Sequence, residues 1–272
     1  MSVGGVPRKS RGGIVPPDFG RRPRPLVAPG VAPVVIAESN WLPLGVALNE
    51  DFAWKIAFYV LLVFSLTFHE YGHAWSAKKL GDDTAEQMGR LSLNPLVHLD
   101  PVFTVALPLF FLFFGNTFGV FFAAAKPVPV NPLRLHKPTR DMMITSAAGP
   151  FMNIVLAFFF TAAFWFHVQV RGVEDQALSS LIIKRAIGLN IGLAIFNMIP
   201  IPPLDGHRVL GYFLPSNLRD AYYRIGYSFG LVILLFLMFT GVLGRFIGPI
   251  FMHVEDFWQH LMPGDVYQAI FL

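Results

Sequence analysis

His69-Glu70-Tyr71-Gly72-His73 sets two imidazoles four residues apart with a carboxylate beside the first. On a helix, positions i and i+4 stack on one face, so His69 and His73 can each aim a ring nitrogen at a single cation. Imidazole nitrogen and carboxylate oxygen are zinc ligands, and Glu70 is close enough to take a proton from a water at that metal. In a soluble chain this spacing is a metalloprotease signature. Here it lies in the apolar run 53–78, about 39 Å long as a helix and able to cross a hydrocarbon core of about 30 Å with tilt. An ionisable side chain at the centre of such a helix costs about 2.5–3.5 kcal/mol to insert, so three at metal spacing point to function rather than packing. The pattern implies a protease that cuts within the membrane.

A catalytic zinc needs a third protein ligand and one open position. The chain has no cysteine, which excludes thiolate ligands and disulfides. Asp205, in Pro202-Pro203-Leu204-Asp205-Gly206-His207, follows the apolar run 181–201, which the prolines break. An aspartate before glycine is also a common cap or turn residue, and His207 is a rival ligand two positions on. Asn197 lies eight residues before Asp205 in the same run. It is either an inter-helix hydrogen bond, worth about 1 kcal/mol in membranes, or a donor to an oxyanion or a substrate backbone. Asn153 carries the same two readings, and the structural one is preferred.

The elements around these residues are those of an all-α polytopic membrane protein. Hydrophobic residues make up 54% of the 272 and charged residues only 14%, with Phe alone present 28 times. Mean hydropathy is +0.54. The net charge of +4 resides in loops and tail, as the positive-inside rule expects, and does not argue for nucleic acid. Residues 1–34 hold seven prolines and six basic residues and read as a disordered cytoplasmic tail, with no apolar signal-peptide core. Residues 31–48 are a weak extra span. Residues 103–124, split at Gly115-Asn116 and flanked on both sides by positive charge, suit a re-entrant hairpin. Further runs at 142–168, 181–201 and 226–252 bring the expectation to five or six transmembrane helices within a domain at 35–252. A short strand or hairpin is expected at Met88–Leu93, near the site, and an amphipathic interfacial segment at 253–272. Gly188-x-x-x-Gly192 and Gly226-x-x-x-Gly230 read as helix-packing faces. Charge bias puts residues 79–102, 126–141 and 202–225 in the cytoplasm, with His69 and His73 about 14 and 8 Å from Lys78 along the helix axis. The metal then lies below the cytoplasmic surface, within reach of water from that side.

Several linked motifs occur in order across residues 55–215. Beside the His69–His73 motif these are Gly89-Arg90, Asn94-Pro95-x-x-His98-x-Asp100-Pro101 and Lys126-Pro127-Val128-Pro129-Val130-Asn131. They continue with Ala148-Gly149-Pro150-x-x-Asn153 and Asn197-x-x-Pro200-x-x-Pro203-Leu204-Asp205-Gly206. In these the chain resembles the site-2 protease family of intramembrane zinc metalloproteases, in its compact form without PDZ or nucleotide-sensing domains. The resemblance implies one zinc held by His69, His73 and Asp205, with Glu70 as catalytic base, and favours the donor role for Asn197. It implies substrates with a transmembrane segment and a multi-pass home in the plasma membrane; His98 and Asp100 fall within its pattern and read as loop-organising hydrogen-bond residues rather than metal ligands. A metal transporter using the same His pair is the rival of another class, but its ligands should line a crossing path. A proteolytically silent zinc-binding scaffold is a second rival, and the intact Glu70 argues against it.

Overall fold

In a computed structural model of the chain, residues 50–114, 125–172 and 177–261 are described, together with Met1. The expected tail, the weak span at 31–48, residues 115–124 of the expected hairpin and the end of the chain from 262 lie outside the described residues. All elements below belong to one unit, Leu48–Leu272.

Every regular element among the described residues is helical. The motif-bearing helix α1 (Glu50–Lys79) is 30 residues long. Lys78 and Lys79 in its last turn oppose the negative end of the helix dipole. Beyond it Gly81, at φ +106°, turns the chain through a backbone conformation that suits glycine. A single turn, α2 (Thr84–Gln87), follows, then a 3-10 turn at Pro95–Val97, a π-helical turn at Pro101–Ala106 and α3 (Leu107–Phe114). The long α4 (Pro138–Trp165) runs on through a π-helical turn to Val170, and α5 (Leu178–Asn197) returns. A short α6 (Gly206–Phe213), α7 (Ser216–Phe239) and α8 (Val242–Leu261) complete the order.

Among the described residues three helices are long and apolar enough to cross a membrane: Pro138–Val170, Leu178–Asn197 and Ser216–Phe239. Helix α1 is longer than two of them, but its second half carries Ser65, Thr67, His69, Glu70, His73 and Ser76, all buried. Leu62 and Leu66 of α1 pack with Leu189 and Leu193 of α5. Ala157 and Phe164 of α4 pack with Ile187 and Ile191 of α5 and with Trp258 of α8.

Three expectations change. Met88–Leu93 forms no strand: Gly89 (φ +68°) and Arg90 give their amides back to Glu86 O (2.9 Å) and Ala85 O (2.7 Å), closing the end of α2 instead of joining a ladder. The run read as 226–252 begins earlier, at Ser216, while the break expected near Gly241 and Gly244 is there, at Gly241 (φ +71°), and makes the run a pair, α7 and α8. Finally, the Gly226/Gly230 face of α7 receives not another helix but the Pro202 turn, which occupies the space of a Cβ at either position. Gly188 has no neighbour within 4 Å of such a Cβ among the described residues, so it marks no close approach.

Candidate metal centre

His69 and His73 project from α1 toward α4, and the contact between these helices is close because its residues are small. A Cβ on Gly72 would sit 2.7 Å from Ala148 O. A Cβ on Gly149 would overlap the imidazoles of both His69 and His73, so this glycine of α4 is the space in which the two rings stand. Each ring is fixed from behind. Nδ1–H of His69 donates to Asn153 Oδ1 (2.6 Å), and Nδ1–H of His73 donates to Thr145 O (2.7 Å). These partners assign the tautomers: both Nδ1 atoms carry the proton, leaving both Nε2 lone pairs free. The two Nε2 atoms lie 3.0 Å apart.

Asp205 supplies the third atom. The Pro202–Leu204 turn lies between α5 and α6, with Leu204 packed among Phe196 of α5, Leu234 of α7 and Leu243 of α8. Gly206 lets the chain fold back on itself, since a Cβ there would overlap the carbonyl of Met198. Asp205 stands at the N-terminal edge of α6, yet its side chain makes no capping bond. Its Oδ2 lies 3.1 Å from His69 Nε2 and 3.4 Å from His73 Nε2. The cap reading therefore falls. His207 turns away: its Nδ1–H goes to Leu204 O (2.5 Å), and its Nε2 faces Tyr227 Oη at 3.3 Å. Burial holds this imidazole below its ordinary pKa.

The three converging atoms fit zinc. Ligand atoms about 2.0–2.1 Å from a tetrahedral zinc stand about 3.3 Å apart, against 3.0, 3.1 and 3.4 Å here. Three lone-pair atoms facing one another so closely repel unless a cation sits among them. Glu70 is buried with the histidines, and one ligand atom from each of His69, Glu70 and His73 falls in a single group. Its Oε2 accepts the amide N–H of Val128 (2.9 Å).

Asn197 is not drawn into this group. It is half-buried near the end of α5, and its Nδ2 donates to Leu193 O (3.0 Å) one turn back. Asn153, read from sequence as structural, is the partner that orients a ligand. Its Nδ2 goes on to Asn190 Oδ1 (2.9 Å), and Asn190 Nδ2 reaches Ser65 Oγ (3.0 Å). Asn190 was missed; a fully buried asparagine within an apolar run was the signal that could have found it. Asp100 and His98 organise their loop as expected. Asp100 Oδ1 accepts Val102 N–H (2.9 Å) and Phe103 N–H (2.8 Å), and these donors hold its carboxyl below the usual range. His98 Nε2–H donates to Ser92 O (2.8 Å).

The model of "Peptidase family M50" matches residues 57–185 and 174–237. "Putative zinc metalloprotease YwhC" of Bacillus subtilis (strain 168) is 37% identical over 187 residues, covering 66% of this chain and 79% of that protein. "Putative zinc metalloprotease Rip2" of Mycolicibacterium smegmatis is 32% identical over 185 residues, covering 66% of each. Its namesake in Mycobacterium tuberculosis (strain H37Rv) is 29% identical over 193 residues, covering 69% of this chain and 68% of its own length. No solved structure gives a significant match. With a zinc-fitting centre on a bundle of membrane-length helices, these matches establish that the chain belongs to peptidase family M50, the site-2 proteases, and is a zinc metalloprotease of the membrane.

Proposed function

We propose that this chain is an intramembrane endopeptidase, cutting peptide bonds within or near the transmembrane segments of membrane-anchored substrates in regulated intramembrane proteolysis. The observation that carries this is a buried His69–His73–Asp205 triangle, with Glu70 beside it, inside a bundle whose outer helices have membrane length and composition. A helix buried among α4 and α5 can keep polar residues at membrane depth because neighbouring groups, not lipid, satisfy them. On this reading α1 is a further crossing beside these three helices. The site opens to the cytoplasmic side of the plasma membrane.

His69, His73 and Asp205 would hold the metal, and Asn153 and Thr145 fix the two rings. When bound, zinc supplies a Lewis acid that polarises the peptide carbonyl and lowers the pKa of a water. Glu70 takes the proton of that water and returns it to the departing amine nitrogen. Asn197 can offer its second N–H to the oxyanion or the substrate backbone. A groove of about 370 Å³, lined by Met88, Gly89, Arg90, Val97, Lys126, Pro127 and Pro129, lies at the protein surface. It is where a locally unwound substrate segment would rest, against the exposed Met88 and Gly89.

The test is cleavage of a panel of single-span model substrates by the purified chain, with zinc content measured in parallel. Wild type should cleave and Glu70→Gln should not, while keeping its zinc. Asp205→Ala should lose both. Cleavage by Glu70→Gln at the wild-type rate would remove Glu70 from the chemistry.

A further inference from the structure

Glu70 accepts one hydrogen bond from outside its own helix, and the donor is a backbone amide. That amide, of Val128, belongs to Lys126–Asn131, a stretch without regular secondary structure. Pro127 and Pro129 flank Val128. Neither carries an N–H, and each restricts the residue before it to extended conformations, so the tripeptide is stiff and has a single donor. That donor goes to Glu70 Oε2 at 2.9 Å.

The stretch is anchored on both sides of Val128. Lys126 N–H donates to His98 O (2.8 Å). The Arg90 guanidinium donates to Lys126 O (2.7 Å) and Pro127 O (3.3 Å), and also to Val97 O. At the other end Asn131 N–H donates to Asp82 Oδ2 (2.6 Å), three residues beyond α1. Arg90 is only 8% exposed. A buried guanidinium is costly unless its donors are used, and here both terminal nitrogens are given to main-chain carbonyls. Side chains that hold backbone in this way fix where an amide points.

We propose that Val128 and Arg90 are positioning residues for Glu70: the Lys126–Asn131 stretch is a brace whose one inward N–H holds Oε2, leaving Oε1 to move the proton. This rests on Glu70 being the base. A charge-assisted bond to one carboxylate oxygen removes the freedom of the ring of positions that an unbraced glutamate would sample. The Gly89-Arg90, His98 and Lys126–Asn131 motifs thereby share one task.

The experiment uses the zinc-loaded full chain in detergent and a single-span model substrate with a central Asn-Gly pair, reading kcat and KM separately. Val128→Pro deletes the N–H and should lower kcat about tenfold to hundredfold, the range seen when a supporting hydrogen bond is lost. KM should stay within about twofold, and zinc content and thermal midpoint should not change. Val128→Ala, which restores the N–H, should recover most of that kcat. Arg90→Gln should show a smaller loss of the same kind, and it carries the test if Val128→Pro does not accumulate as folded protein. Wild-type kcat in a folded, zinc-loaded Val128→Pro or Arg90→Gln would overturn the brace. So would a loss confined to KM, which would make the stretch a substrate contact. A raised kcat would overturn it too, marking the stretch as a plug over Glu70. Glu70→Gln run alongside separates the two levels: wild-type cleavage there defeats the base reading itself, whereas inactive Glu70→Gln beside an unaffected Val128→Pro defeats only the brace.

Discussion

An imidazole can offer Nε2 to a metal only when the proton sits on Nδ1, and at this centre two different groups keep it there. Asn153 Oδ1 does so for His69 and the backbone carbonyl of Thr145 for His73. Outer partners of this kind are commonly worth about 10–100-fold in metal affinity. Asn153→Leu should therefore weaken zinc binding by that order, measured by competition with a chelator. It also leaves the Nδ1–H of His69 and the Oδ1 of Asn190 without these partners. Asn153→Asp keeps an acceptor facing His69 and should lose much less. Equal affinity in all three would leave Asn153 only the inter-helix hydrogen-bonding part that its place in an apolar run first suggested. The contrast with Thr145 explains what was legible. His69, Glu70 and His73 declare themselves by type and spacing, and Asp205 by its motif. A carbonyl is supplied by every residue, so nothing in the sequence distinguishes Thr145 from its neighbours. Asn197 is the opposite case, a residue whose motif is plain while its side chain here spends a donor on Leu193.

Elements bring Asp205 to α1 across the fold, and small residues decide how near they come. The apolar runs announced α1, α4 and α5 closely, because length and hydropathy are enough to define them. The Gly226-x-x-x-Gly230 pattern announced only that something approaches α7. Its partner is the Pro202 turn, three residues before Asp205, rather than a helix. The missing strand has a similar cause: Gly89 and Arg90 close the end of α2 with their own amides, a use of backbone groups that the alternation of side chains does not reveal. A methyl group at position 230 would overlap Pro202 O. Gly230→Ala should then push the turn away and cost about 1–3 kcal/mol of overpacking, with zinc occupancy falling as Asp205 moves. Gly188→Ala, whose added methyl meets nothing within 4 Å among the described residues, should keep its zinc and gain up to about 0.5–1 kcal/mol of helix propensity. Thermal midpoints in detergent and metal analysis compare the two. If Gly230→Ala holds full zinc at an unchanged midpoint, the turn is free to slide and does not set the ligand.

For the molecule as a whole, the order of helices fixes which loops share a side. Helix α1 ends at Lys79, α4 begins at Pro138, α5 ends at Asn197 and α7 begins at Ser216. His73 lies near the first of these ends and Asp205 just beyond the third. The helix ends and loops at that face carry Lys78, Lys79, Arg134, Lys137, Arg208 and Arg219, whereas the α4–α5 connection carries Arg171 with Glu174 and Asp175 in the sequence. Positive charge is retained on the cytoplasmic side during insertion, so the metal should face the cytoplasm and Arg171 should face away. Because the chain has no cysteine, a single introduced thiol reports its own side without a background. Leu133, 92% exposed in the loop before α4, and Arg171, exposed after it, are the informative pair. In sealed right-side-out vesicles a membrane-impermeant maleimide should label Arg171→Cys at once and Leu133→Cys only after permeabilisation. The reverse pattern would invert the protein and place the zinc on the outer face. Equal labelling of both would mean that α4 does not cross. Neither outcome would disturb the ligand geometry, since the triangle of His69, His73 and Asp205 depends on packing within the fold and not on which side of the membrane it faces. What the labelling decides is the compartment whose water reaches Glu70, and hence the side on which a cut substrate segment is released.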